Sequence, residues 1–232
     1  MKIHVLSAGA AKGLVDAVQP AFTAQTGAEL DASFSAVGAI QDRFLAGEPC
    51  DVLILTAALL NRLAQRGEIA TGAIWPLGRV ATGIAVRAGA PAPRIATAEA
   101  LRVALLRAST IYLPDPQRAT GGIHFARVRR ELGIHDEVAP RLRAFANGAL
   151  AMSELARSAD EDALGCTQVS EIRYTEGVTL VAPLPPPFEL TTVYSLGVPA
   201  RAIAPALARR LADMITAVDL AEIRGRSGFE TV

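Results

Sequence analysis

The sequence predicts an α/β protein of two lobes, each built on a mixed β-sheet flanked by helices. β-rich segments alternate with segments of helical period over the first 66 residues, and a second alternating series follows residue 87. Long strands are predicted at both junctions, which indicates that the chain crosses twice between the lobes. Its 232 residues, 51% of them hydrophobic, suffice for two cores. A cleft between the lobes is the expected ligand site.

The first lobe is predicted to open with three strand and helix pairs. The strands are expected at residues 3–7, 29–34 and 51–56, and the second and third helices at 38–46 and 57–66. The first helix places Leu14, Val15, Val18 and Phe22 on one face and ends at Gly27. Pro20 lies inside this helical pattern, so we expect it to kink or split the helix.

The second series begins with a strand at residues 78–87 and a Pro-rich loop. Helices are then predicted at residues 97–106, 122–132 and 149–156, and strands at 110–113, 164–168, 178–181 and 190–198. A last helix at residues 204–218 closes the chain. The predicted lobes are residues 1–83 with 191–232, and residues 84–190.

Composition excludes several classes of protein. The 23 Lys and Arg residues balance 23 Asp and Glu residues, so the composition lacks the excess of positive charge that is typical of nucleic-acid-binding proteins. Apolar runs such as residues 52–55 are far shorter than a membrane span, so no membrane insertion is expected. Cys50 and Cys166 are the only cysteines, which predicts buried thiols, no disulfide framework and no metal site. No cofactor is expected.

The amino terminus reads as a first strand rather than as a signal peptide. This predicts a cytoplasmic protein if Met1 is the native start, and a periplasmic one if a signal peptide has been removed.

Several short motifs resemble those of type II periplasmic binding proteins, in particular the molybdate-binding branch. The resemblance runs along nearly the whole chain: residues 5–14, S-F-S-A at 33–36, A-G-E-P-C-D-V at 46–52, D-P at 115–116, G-G-I at 121–123, G-A-L-A at 148–151 and G-F at 228–229. It implies two lobes that close on an oxyanion held by hydroxyls and helix amino-terminal amides. An ABC-transporter permease is an implied partner if the chain is exported.

The resemblance places ligand groups in five loops. Carried onto this sequence, they are Ser7, Ala8, Gly9, Ala10 and Ala11; Ser35, Ala36, Val37 and Gly38; Thr120, Gly121 and Gly122; Asn147; and Gln168. Arg118 flanks the third loop, at a helix start where a carboxylate would be welcome, although a solvated loop arginine is the alternative.

The chain departs from the molybdate-binding pattern in three of these five loops. Ala10 stands where the family has a serine, the serine-rich second loop becomes Ala36, Val37 and Gly38, and Gln168 replaces a tyrosine. Because lost hydroxyls remove hydrogen bonds to an oxyanion, a small organic carboxylate is the expected ligand rather than molybdate. The leading prediction is reversible binding of such an anion, without chemistry.

The alternative prediction is an isomerase on the same scaffold, which shifts a proton in an unsaturated carboxylic acid. Relatives of these binding proteins that resemble aconitate isomerase imply that the scaffold can be used in this way. His124, near a helix start, and Glu171, after a strand, are the candidate proton-transfer groups. For His124 the alternative is a structural hydrogen bond, and for Glu171 a helix cap.

Overall fold

A computed structural model describes residues 1–231, which divide into two compact units. Unit 1 combines Met1–Val80 with the segment that begins at Thr192, and unit 2 is Ala81–Thr191. The boundaries expected from the sequence lie after residues 83 and 190. None of the described helices is both long enough and apolar enough to cross a bilayer.

Strands and helices alternate through the first half of unit 1. They are β1 (Lys2–Ala8), α1 (Lys12–Thr26), β2 (Glu29–Ser35), α2 (Val37–Leu45), β3 (Val52–Thr56), α3 (Ala57–Gln65) and β4 (Ile69–Arg87), which continues into unit 2. α1 buries Leu14, Val15, Val18 and Phe22 and ends at Gly27, whose φ of +67° is the left-handed conformation that glycine adopts most readily.

The expectation that Pro20 splits the first helix is wrong. α1 runs unbroken from Lys12 to Thr26. Pro20 lies on the exposed side of the helix, where water can bond the Asp16 carbonyl that the missing N–H leaves without a partner.

Unit 2 continues the alternation with shorter elements. They are α4 (Ala98–Arg107), β5 (Ile111–Pro114), α5 (Thr120–Glu131), α6 (His135–Val138), β6 (Leu142–Phe145), α7 (Gly148–Arg157), β7 (Leu164–Gln168), α8 (Val169–Tyr174) and β8 (Val178–Pro183). The chain returns through β9 (Thr191–Pro199), α9 (Pro205–Thr216) and α10 (Ala221–Arg226). The sequence does not predict α6, β6 and α8, which have four to six residues and show little periodicity.

Each unit contains a mixed sheet. In unit 1 the order is β2-β1-β3-β9, with β1 parallel to β2 and β3, and β9 antiparallel to β3. In unit 2 the order is β4-β7-β5-β6, where β5 is parallel to β6 and β7, and β4 is antiparallel to β7 and β8. The predicted mixed sheets with flanking helices are therefore confirmed.

The two faces of the unit 2 sheet pack against different helices. Ile84 and Cys166, a directly opposed pair on β4 and β7, belong to the same buried cluster as Phe125 of α5. The adjacent Ala85 packs on the other face, in a cluster with Met152 of α7. We call these the α5 face and the α7 face, and because side chains alternate along a strand, they fix where each polar residue of β7 points.

Asp51, the last residue of the A-G-E-P-C-D motif, anchors unit 1. Its buried carboxylate accepts the His4 amide at 3.0 Å and the Ile203 and Ala204 amides at 2.7 and 2.8 Å. The acceptor sits just before α9, where negative charge is favourable. The motif therefore ties β1 and α9 to the start of β3.

Candidate functional site

The two loops predicted as ligand groups in unit 1 lie at one edge of its sheet. Ser7 and Ala8 end β1, residues 9–11 form a 3₁₀ turn before α1, and Ser35 ends β2 opposite Ala8. Ala36 precedes α2 without a side-chain cap, and Val37 and Gly38 form its first turn. The amides of Val37 and Gly38 have no acceptor within the helix, because they belong to its first turn. The edge can therefore donate backbone N–H groups to an anion.

Ser7 does not offer its hydroxyl proton in the way predicted from sequence. The side chain is fully buried and donates a hydrogen bond to the carbonyl oxygen of Ala8 at 2.9 Å. Its oxygen can still accept a hydrogen bond but cannot also donate one to an oxyanion. Backbone amides and the Ser35 hydroxyl are other donors at this edge of unit 1.

In unit 2, the predicted third loop is the amino terminus of α5. Thr120, Gly121 and Gly122 form the first turn, no side chain caps it, and their amides have no partner among residues 1–231. A Cβ built on Gly121 would lie 3.5 Å from the Thr167 Cα atom and 3.7 Å from the backbone nitrogen of Gln168. The helix α5 therefore begins directly against the end of β7. Its free amides and positive dipole end favour an anion.

Arg118 lies in the exposed loop before this helix. The loop is shaped by Asp115, whose Oδ1 accepts the amides of Gln117 at 2.7 Å and of Arg118 at 3.1 Å. The structure does not bring the Arg118 guanidinium into the buried polar group described next.

Gln168 has a buried side-chain amide without hydrogen-bond partners. It is 3% exposed, and neither Nε2 nor Oε1 has a hydrogen-bond partner within the described residues. It shares its side of β7 with Cys166, so the side chain points to the α5 face. Buried polar atoms are nearly always paired, so two orphaned atoms of opposite polarity indicate a place built for a ligand.

Thr82 and Ser170 extend this polar group, and neither is among the ligand residues predicted from the sequence. Thr82 is 1% exposed, stands directly opposite Gln168 and has an unpartnered Oγ. Ser170 is 3% exposed, and its Oγ also has no partner. The sequence pattern that could have identified Thr82 is the two-residue period of β4, which places Thr82 on the same face as Ile84 and Val86.

The polar residues that follow Gly165 are divided between a strand and a helix. β7 ends at Gln168, and Ser170 and Glu171 lie in the first turn of α8. Glu171 is the third residue of this helix, and its carboxylate accepts a hydrogen bond from the backbone amide of Gln168, as in a capping box.

Glu171 also closes the amino terminus of α7. Its carboxylate accepts the amides of Gly148 and Ala149 and the Thr167 hydroxyl, the last at 2.5 Å. Asn147, the N-cap residue, accepts the Leu150 amide at 2.9 Å. The first-turn donors of α7 are therefore satisfied internally, and Asn147 as a ligand residue stays a prediction.

Burial raises the pKa of Glu171, while the Thr167 hydroxyl and the three amides oppose the shift. The residue lies on the α7 face with Thr167, away from the Gln168 side chain. Glu171 therefore has the helix-capping role that the sequence offered as the alternative, and its role in proton transfer stays a prediction.

We expect Glu171→Gln to change the pH dependence of stability. Because the folded pKa is raised above the ordinary 4.5, the folded protein binds more protons than the unfolded chain between pH 4.5 and the raised pKa. Across that window wild-type stability falls as pH rises, by at most about 1.4 kcal/mol per pH unit from this group. The variant lacks this loss, so its stability relative to wild type should improve as pH rises. Urea unfolding of both proteins from pH 4.5 to 8 tests this, and a constant difference would contradict it.

His124 lies one turn into α5 and is 7% exposed. Its Nε2 lies 2.8 Å from the carbonyl oxygen of Phe188. A carbonyl can only accept, so Nε2 must carry the proton and Nδ1 is left as the basic nitrogen of the neutral ring. The structural hydrogen bond therefore exists, and it also fixes the tautomer.

In the described part of the chain, neither a metal site nor a second groove on unit 2 competes with this site. Residues 1–231 contain no group of three or more His, Cys, Asp or Glu side chains able to hold a metal ion. A groove of about 650 Å³ lies elsewhere on unit 2, beside residues 91–108 and 161–164 near the amino ends of β5 and β7. None of its lining residues carries an orphaned buried polar atom, so chemistry favours the Gln168 site over this groove.

Comparison with known proteins identifies the family. A family model described as bacterial extracellular solute-binding protein matches residues 3–230. The chain is 30% identical, over 239 aligned positions covering 99% of this chain and 88% of the other, to an aconitate isomerase of a Pseudomonas species.

Solved structures show the same fold. The periplasmic molybdate-binding protein of Azotobacter vinelandii aligns with a TM-score of 0.81 at 18% identity, over 99% of both chains. The sulfate-binding protein SubI of Mycobacterium tuberculosis aligns at 0.75 and 19%, over 100% of this chain and 87% of that one. The chain thus belongs to the bacterial extracellular solute-binding proteins and has the type II periplasmic-binding-protein fold of the molybdate-binding branch.

Proposed function

We propose that the protein binds a small organic carboxylate in unit 2, at the amino terminus of α5. The observation that carries this is the buried Gln168 side chain, whose amide nitrogen and oxygen both lack partners. The free amides of residues 120–122 supply donors for a carboxylate on the same face of the sheet. Ile123, half exposed beside them, offers an apolar surface to a hydrocarbon portion of the ligand.

Three features favour a carboxylate over molybdate. The Ser7 hydroxyl proton is already used, Ala10 has no hydroxyl, and the α7 terminus is filled by Glu171. A tetrahedral dianion with four oxygens would find few side-chain donors, whereas a flat carboxylate needs two. That the amides of unit 1 contact the same ligand stays a prediction, as do export and a permease partner.

Thermal unfolding with added ligands tests the proposal. A di- or tricarboxylate at 100 times its dissociation constant should add about 2.7 kcal/mol to the free energy of unfolding. Molybdate, tungstate and sulfate serve as comparison ions at the same ionic strength. Strong stabilisation by an inorganic oxyanion with none by any carboxylate would overturn the ligand class.

An isomerase acting on an unsaturated carboxylic acid is the second candidate. It is favoured by the 30% identity to an aconitate isomerase and by the basic Nδ1 atom of His124, one turn below Thr120. In this reaction Nδ1 takes a proton from an allylic carbon and the electron pair spreads into the conjugated carboxylate. The α5 amides stabilise that charge. The proton held on Nδ1 exchanges with solvent, and Nδ1 returns a proton at the other end of the shifted double bond.

We expect His124→Gln to separate binding from chemistry. The glutamine amide can still donate to the Phe188 carbonyl, but it has no basic nitrogen. If the protein is an isomerase, solvent deuterium exchange into bound trans-aconitate should fall by about 10²- to 10⁴-fold, while affinity changes little. Equal exchange in both proteins would remove His124 from the mechanism. Tight binding without exchange in the wild type would end the isomerase proposal.

A further inference from the structure

Thr82 and Gln168 form a buried polar pair on the α5 face of unit 2. They are directly opposed on β4 and β7, are 1% and 3% exposed, and yet have no hydrogen bond to each other. The Thr82 backbone is fully engaged, since its amide donates to Leu190 at 2.9 Å and its carbonyl accepts the Leu184 amide at 2.9 Å. Only the Thr82 hydroxyl lacks a partner within residues 1–231, and this hydroxyl makes no hydrogen bond that stabilises the sheet.

The pair needs both a donor and an acceptor from whatever binds there. Gln168 Nε2 can only donate and Oε1 can only accept, while the Thr82 hydroxyl can do either. A fully ionised carboxylate or inorganic oxyanion supplies acceptors alone and would leave Gln168 Oε1 buried without a donor. An unpaired buried acceptor costs affinity, so such a ligand would be penalised.

From this balance we infer that Thr82 and Gln168 select a carboxylate that also carries a hydroxyl group. The ligand hydroxyl donates to Gln168 Oε1 and accepts from the Thr82 hydroxyl. A carboxylate of the same ligand accepts from Gln168 Nε2 and from the α5 amides. The inference rests on the proposed carboxylate binding in unit 2 and adds the ligand's hydroxyl and the role of Thr82 as a specificity-determining residue.

Matched ligands test the hydroxyl requirement. Citrate and tricarballylate differ by one hydroxyl, and so do malate and succinate, so each pair keeps its charge. Titration calorimetry should give at least about a tenfold tighter dissociation constant for the hydroxylated member of the pair that binds. If acids bind but both members of each pair bind equally, this inference fails and carboxylate binding stands. If no carboxylate binds, the proposed function itself fails.

Two isosteric variants test the role of Thr82. Thr82→Val removes an unpartnered hydroxyl, so we expect the unliganded protein to unfold about 1 to 3 °C higher. The same variant should lose most of the preference for citrate over tricarballylate. Thr167→Val, one residue from Gln168 on the other face, removes a hydroxyl bonded to Glu171 and should lower the unfolding temperature without changing the preference. An unchanged preference in Thr82→Val, or a lower unfolding temperature in that variant, would overturn the assignment.

Discussion

Gly148→Ala is expected to lower the free energy of unfolding by roughly 3 to 5 kcal/mol. An added Cβ would stand 2.0 Å from both the Glu171 Oε2 and the Thr167 Oγ1 atoms. Glu171 cannot simply swing away, because Thr167 and the amides of Gly148, Ala149 and Gln168 hold its carboxylate. Moving it would leave a buried carboxylate without its donors and the α7 terminus without its acceptor. Urea unfolding at pH 7 measures the loss.

A double-mutant cycle shows whether the clash is the cause. Glu171→Ala removes the carboxylate and the helix caps that it provides. It also releases the Thr167 hydroxyl, the other atom 2.0 Å from the added Cβ, from the partner that holds it, so that this side chain can turn away from residue 148. Added to Glu171→Ala, the Gly148→Ala change should therefore cost much less than it does alone, and the two effects should be strongly non-additive. Additive losses would mean that Gly148 is needed for a reason other than the contact with Glu171.

The fold could be predicted from this sequence because its strands and longer helices carry a clear period. Leu14, Val18 and Phe22 marked α1, and the apolar run at residues 52–55 marked β3. The split expected at Pro20 was wrong because the proline lies on the solvent side, a fact that depends on how the helix packs. The short α8 was missed since six residues span fewer than two turns.

The candidate site was predictable in part. Gln168, Gly121 and Gly122 were named from motifs, and the structure places all three together at the start of α5. Whether a polar side chain is free or already used could not be read from the sequence. The side chains of Glu171 and Gln168 lie three residues apart, yet the Glu171 carboxylate accepts from four donors and the side-chain amide of Gln168 has no partner within the described residues. The two side chains differ because Glu171 points to the α7 face, where α7 begins, whereas Gln168 points to the α5 face, where α5 begins.

The two glycines of the G-G-I motif are expected to differ sharply when each is replaced by alanine. A Cβ on Gly122 would lie 2.3 Å from the Asp115 carbonyl oxygen and 2.5 Å from that of Pro114, and neither backbone atom can yield without moving β5 or α5. A Cβ on Gly121 would meet only ordinary contacts, at 3.5 Å or more. The sequence shows two adjacent glycines, and only the packing tells them apart.

Gly122→Ala should therefore cost about 3 kcal/mol or more, since an overpacked backbone contact relaxes poorly. It should also weaken carboxylate binding, because the clash pushes the first-turn amides of α5 away from Gln168. Gly121→Ala is the matched control and should stay within about 1 kcal/mol of wild type in stability, since alanine suits a helix better than glycine. Unfolding and calorimetric titration of both variants measure the two effects. Equal stability of the two proteins would mean that α5 does not start as closely against Asp115 as the structure has it, whereas a folded Gly122→Ala protein with unchanged affinity would place the ligand away from this helix.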